Sequence, residues 1–136
     1  MPVIWGVTLA VAAALLGRLA GFDRDRAFYP IVLIVVASYY DLFAVIGGSR
    51  SDLIEELIAT LLFAGAAILG FRTSLWLVAV GLAAHGIFDA FHEGLVANPG
   101  VPAWWPAFCG AYDVAASLCL ALLLRLSPPP RARPRV

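Results

Sequence analysis

The chain has 136 residues, 62% hydrophobic and 13% charged, with nine basic and nine acidic residues and a mean hydropathy of +0.93. A water-soluble domain of this length needs far more polar surface to cover itself, so the excess apolar surface must meet a lipid bilayer. At roughly 20 residues per crossing, the length accommodates about five membrane spans and short connections. Any activity is therefore expected to be built from helices and their loops, with no nucleic-acid partner.

The first span is expected over Pro2 to Ala20. Its opening, Met1-Pro2-Val3-Ile4-Trp5, lacks the basic region of a signal peptide and reads as a retained helix. A charged loop, Gly21-Phe22-Asp23-Arg24-Asp25-Arg26, leads to a second span over Phe28 to Ile46, with Pro30 tolerable in its first turn. Gly47-Gly48-Ser49-Arg50 reads as a turn. The third span, Ser51 to Phe71, opens with Asp52 and Glu55 at capping-box spacing. Gly70 to Ser74 is a tight break, and Thr73 or Ser74 can cap a fourth span that runs to Glu93. A loop with Asn98-Pro99-Gly100, Pro102 and Pro106 leads to the fifth span, Trp105 to Leu126. Residues 1–126 thus form one all-α transmembrane domain, followed by an extended Pro- and Arg-rich tail over residues 127–136.

Arginine placement orients these spans. All nine basic residues are arginine. Five spans put Arg18, Arg24, Arg26, Arg72, Arg125, Arg131, Arg133 and Arg135 on one side and leave Arg50 on the other. The positive-inside rule then places the N-terminus outside and the tail in the cytoplasm of a bacterial inner membrane. Trp5, Trp104 and Trp105 fit an outer aromatic belt and Trp76 an inner one.

The neutral total conceals a polarised molecule. Asp23 and Asp25 are cytoplasmic, whereas Asp41, Asp52, Glu55, Glu56, Asp89, Glu93 and Asp113 map to the outer half with His85 and His92. Such a face attracts a cation: a metal ion, protons or an organic amine. At 1.5 Å of rise per residue, Asp41, His85 and Asp113 lie roughly 9–12 Å in from the outer helix ends, and Glu55, Glu56 and Asp89 about 4–7 Å. The expected picture is a funnel with an acidic mouth above a deeper Asp/His/Asp layer. Unpaired ionisable groups at such depth cost several kcal/mol, so they should face the bundle interior.

On the fourth span His85, Asp89, His92 and Glu93 follow an i, i+4, i+7, i+8 spacing that puts them on one face. Histidine beside carboxylate is a metal-ligand vocabulary, and equally that of a general base with its orienting acid. His85 and His92 are about 10 Å apart along the axis, too far to bind one ion together. A single-metal site would then use one histidine with acids from other helices. On the fifth span Cys109, Asp113 and Ser117 share a face, and Tyr39, Tyr40 and Asp41 adjoin on the second.

Plainer readings compete. Glu55 and Glu56 in a first helical turn suit the helix dipole, and His92 and Glu93 at a helix end suit an interface. Cys109 and Cys119 are about 15 Å apart on one helix, beyond disulfide reach, and read as free thiols used in packing. No nucleophile turn, Gly-rich phosphate loop or Cys-x-x-Cys pair is present. Two histidines on one helix exclude a multi-His iron site and a bis-His haem.

The stretch His85-Gly86-Ile87-Phe88-Asp89-Ala90-Phe91-His92, with Pro102-Ala103-Trp104-Trp105-Pro106-Ala107-Phe108-Cys109 and Tyr112-Asp113 after it, resembles a pattern in uncharacterised small bacterial multi-pass membrane proteins. The resemblance covers about a fifth of the chain and implies no activity. From the residues themselves, the leading expectation is an outward-facing site that binds a cation, foremost a divalent metal ion. That site would serve metal-assisted or His/Asp acid–base chemistry on a lipid-soluble substrate. Asp41, His85, Asp89, His92 and Asp113 are its candidate ligands or acid–base groups, with Glu55 and Glu56 guiding the cation in. The alternatives are a homo-oligomeric proton- or cation-coupled transporter or channel protomer, and a non-catalytic subunit of a membrane complex.

Overall fold

The computed structural model describes residues 1–24, 26–47 and 50–126. Asp25, Gly48, Ser49 and the expected tail 127–136 lie outside the described residues. The described chain forms five helices: α1 (Pro2–Ala20), α2 (Phe28–Gly47), α3 (Arg50–Arg72), α4 (Leu75–Leu95) and α5 (Trp105–Leu126). Each is long and apolar enough to cross a membrane, and the described residues contain no strand. The protein is all-α and multi-pass.

Local chemistry sets the helix ends. Pro2 opens α1, where its missing N–H costs nothing. Gly21 closes that helix with φ 80°, a left-handed cap that a residue without Cβ adopts freely. Ser74 caps α4 by accepting from the Trp76 N–H at 3.3 Å, so α4 starts two residues later than Thr73. Thr73 instead completes the end of α3, its hydroxyl donating to the Leu69 carbonyl at 2.7 Å. Arg26 reaches the same helix end and donates to the Phe71 and Thr73 carbonyls at 3.3 and 3.5 Å. A cation there satisfies orphan carbonyls and complements the helix dipole. Because α3 begins at Arg50, Asp52 lies inside its first turn rather than at the cap.

Packing follows from which helices carry polar groups. α5 lies between α1 and α4, α3 packs on α2 and α4, and α2 also touches α4. Half of the apolar window of α4 is buried, against 17% for α1 and for α3, so α4 is the central helix. Its most apolar 18-residue stretch is also the least hydropathic of the five. Lipid offers no hydrogen bonds, so the helix that carries His85, Asp89 and His92 on one face is the one its neighbours must surround. The outer helices turn Leu15, Leu16, Leu61, Leu62 and Leu118 outward, as a lipid-facing surface requires.

Close approach of α1 to α5 depends on Gly6. A Cβ there would run into the Phe108 carbonyl oxygen and stand 3.1 Å from the Tyr112 nitrogen. Backbone atoms cannot swing aside as a flexible side chain would. Gly6→Ala is expected to destabilise the bundle by about 1–3 kcal/mol, read as a lower thermal midpoint in detergent. Gly94→Ala, which meets nothing within 4 Å, should leave that midpoint in place. Equal midpoints for the two variants would remove Gly6 as a determinant of α1–α5 packing.

Candidate metal centre

The buried polar and charged side chains among the described residues include Glu56, His85, Asp89, His92, Asp113 and Ser117, with Tyr40 and Cys109 buried beside them. Three come from α4. Their i, i+4, i+7 spacing turns His85, Asp89 and His92 to the packed side of that helix. α5 contributes Asp113 with Cys109 one turn before it, and Ser117 one turn after pins the two helices by donating to the Ala79 carbonyl at 2.7 Å.

The deeper layer is a compact group of four. His85 Nδ1 lies 2.5 Å from Asp113 Oδ2 and 3.6 Å from Asp89 Oδ2. Cys109 Sγ is 3.9 Å from Asp113 Oδ2. One ligand atom from each of His85, Asp89, Cys109 and Asp113 lies within 4.8 Å of all the others, and all four residues are buried. Tyr40 of α2 donates its hydroxyl to Asp89 Oδ1 at 2.6 Å and so fixes the orientation of that carboxylate. The His85 ring meets the Phe63 ring at 4.7 Å and 78°, closing the far side with an apolar wall.

Satisfaction here is incomplete. His85 Nε2, Asp89 Oδ2 and Asp113 Oδ1 are buried and have no hydrogen-bond partner. Two carboxylates, an imidazole and a thiol crowded together leave lone pairs that a buried site must otherwise fill. The donor set N, O, O and S matches the ligands of borderline transition metals such as zinc. Magnesium and calcium prefer all-oxygen cages, which this group is not. The four residues present fit a metal ion.

A second layer lies one to two turns toward the α4–α5 loop. His92 Nε2 is 2.7 Å from Glu56 Oε1 of α3, and the Asn98 amide donates to the same oxygen at 2.9 Å. The same amide nitrogen donates to the Tyr40 carbonyl at 3.1 Å, while Asn98 Oδ1 accepts from the Gly100 N–H at 3.2 Å. The Tyr40 ring stacks on His92 at 3.9 Å and 14°. Tyr40 therefore touches both layers, the deeper through its hydroxyl and the upper through its ring and carbonyl.

The residues singled out by sequence are distributed unevenly over these layers. His85, Asp89 and Asp113 converge. His92 joins Glu56 in the upper layer and shares no ligand group with His85. Asp41, expected beside His85 and Asp113, lies half-buried at the α2–α3 seam near Thr60, and Cys109 takes the fourth place. Glu55 is exposed, while its neighbour Glu56 is 1% exposed, because adjacent residues on a helix face different directions. Instead of a mouth open to water above the deep layer, the structure has His85, Asp89, Cys109 and Asp113 each at most 2% exposed.

Cys109 was legible only as a neighbour of Asp113 on one helix face, and Asn98 was not legible as a site residue at all. The i, i+4 spacing of Cys109 and Asp113 was the available signal for the first. Nothing in Asn98-Pro99-Gly100 distinguishes a partner of Glu56 from an ordinary turn. Comparison with protein-family models, curated proteins and solved structures finds no match to the chain.

Tyr40→Phe isolates one hydroxyl while keeping the ring on His92. It leaves Asp89 Oδ1 buried without its donor, which is expected to cost about 1–3 kcal/mol in chemical unfolding in detergent micelles. An unchanged unfolding midpoint would mean that the Tyr40–Asp89 bond contributes nothing to the bundle.

Proposed function

We propose that this protein holds one divalent transition-metal ion inside the bilayer at His85, Asp89, Cys109 and Asp113, and uses it in chemistry on a lipid-soluble substrate. The observation that carries the reading is the convergence of four unlike donors within 4.8 Å in a buried site, three of whose polar atoms lack partners. A divalent cation offsets the charge of two carboxylates and a thiolate, which an apolar surrounding otherwise opposes. Tyr40, bonded to Asp89, acts as the outer-shell partner that orients a ligand. When bound, such an ion supplies Lewis acidity, polarising an oxygen of the substrate or activating a water. The chain's own residues bind the ion, fix the carboxylates and exclude bulk water.

Arginine asymmetry supports an N-terminus outside and a site in the extracytoplasmic half of a bacterial inner membrane. The opposite half of the core is packed by Leu33, Val78, Leu120 and Leu124, which supports a closed site over a path across the membrane. The exposed Glu55 and Glu93 at the outer end favour cations over anions.

Elemental analysis of the purified protein tests the reading. Equimolar metal is expected in the wild type, lost in His85→Ala, Asp113→Ala and Cys109→Ser but retained in His92→Ala. Cobalt loading should give a thiolate charge-transfer band that Cys109→Ser abolishes. A wild type that neither carries metal nor takes up zinc or cobalt would overturn the proposal.

A further inference from the structure

A groove of about 920 Å³ runs along the side of the bundle between α4, α5 and α1. Val3, Val7, Phe91, Ala107, Val114 and Leu118 give it apolar walls. All belong to helices long and apolar enough to cross a membrane, and Val3, Phe91, Val114 and Leu118 are exposed there as a groove open to hydrocarbon requires. Its lining extends along α5 from Pro106 to Leu118, about 18 Å at 1.5 Å per residue. That is close to half of the ~30 Å hydrocarbon core, the depth of one leaflet.

Two carboxylates interrupt the apolar lining. Glu93 is exposed at the end nearer the α4–α5 loop, and Asp89 lies one turn deeper. Asp89 Oδ2 is buried without a hydrogen-bond partner. It borders the groove because Gly110 has no side chain: a Cβ there would stand 3.3 Å from Asp89 Cβ and 3.7 Å from Oδ2. Gly86 and Gly110 bring the α4 and α5 backbones together at this point, a Gly86 Cβ lying 3.0 Å from the Gly110 oxygen. The groove floor is thus also the flank of the four-donor group.

We infer that the groove binds a single-chain amphiphile with a protonated amine head, its chain along α5 and its head at the exposed Glu93, one turn from Asp89. The inference rests on the lipid-soluble substrate named above and specifies its class. The length of the groove sets the chain. The charge sets the head: the exposed Glu93 carboxylate, bordered by apolar surface, favours a cationic donor and opposes a carboxylate or phosphate. The head then lies one helical turn from Asp89, a residue of the four-donor group.

Photolabelling of the full chain in phospholipid vesicles tests this. Two diazirine probes of equal chain length would be used, one a long-chain primary amine and the other the corresponding fatty acid. The amine is expected to label α5 between Ala107 and Leu118, with the fatty acid labelling it about tenfold less, as for loss of a charged hydrogen bond. Ala107→Trp and Ala90→Trp, at exposed groove-lining positions, should remove the labelling while metal content and thermal midpoint stay at wild-type values. Glu93→Gln should abolish the preference for amine over acid. Equal labelling by both probes would make the groove an ordinary lipid contact and overturn the inference. So would disulfide-linked dimers of Ala107→Cys that exclude the amine, since a second copy would then fill the groove. A wild type that neither carries metal nor takes up zinc or cobalt, yet still prefers the amine, would overturn the metal proposal and leave the groove assignment standing.

Discussion

An imidazole and a carboxylate inside an apolar helix bundle must find their partners within it, and the pairing of His85 with Asp113 imposes that condition on the whole molecule. Water cannot compensate either group at this depth, so α4 and α5 must stay in register to within an ångström or so for the contact to survive. Gly86 and Gly110 make that register reachable by letting the two backbones approach. Ser117 on Ala79 fixes it a turn beyond Asp113. Once the register is set, Cys109 and Asp89 are delivered to the same point without further cost.

The remaining helices respond to that commitment. α4 carries three buried ionisable residues and cannot face lipid with them, so α2, α3 and α5 close around it. α3 supplies Glu56 to His92, and α2 supplies Tyr40, whose hydroxyl, ring and carbonyl are all engaged. The α4–α5 loop seals the arrangement at Asn98. Gly100 within that loop lies against the Phe43 carbonyl and the Gly47 nitrogen, where a side chain would not fit. Polar layers that would destabilise an isolated membrane helix thereby become the contacts that specify which helix neighbours which.

Much of this was legible in the sequence, for identifiable reasons. Five spans follow from hydropathy and Gly/Pro punctuation, because lipid admits only long apolar helices. The convergence of His85 with Asp113 was anticipated from depth along the helix axes. Depth alone was misleading for Asp41, which lies at a comparable level but faces α3, since the rotation of a nearly uniformly apolar helix leaves little trace in its sequence. Glu56 and Glu55 show the same ambiguity: one residue of phase separates a buried partner of His92 from an exposed carboxylate. Cys109 was hidden by chemistry, since a cysteine packs as readily as any small apolar side chain. Asn98 acts through tertiary contacts that no local pattern encodes.

α1 has its main partner in α5, the helix farthest from it along the chain, and His85 on α4 also waits for a residue of α5. During synthesis, α1 to α4 therefore emerge before either contact can form. Until the fifth helix arrives, Gly6 presents an unfilled notch to lipid and the histidine has no carboxylate from α5. Insertion of α5 supplies both the partner of α1 and the carboxylate of His85 in a single event, whereas the contacts among α2, α3 and α4 need no fifth helix. Protein that lacks α5 would keep His85 beside Asp89 alone, without the Asp113 carboxylate that pairs with it in the finished fold.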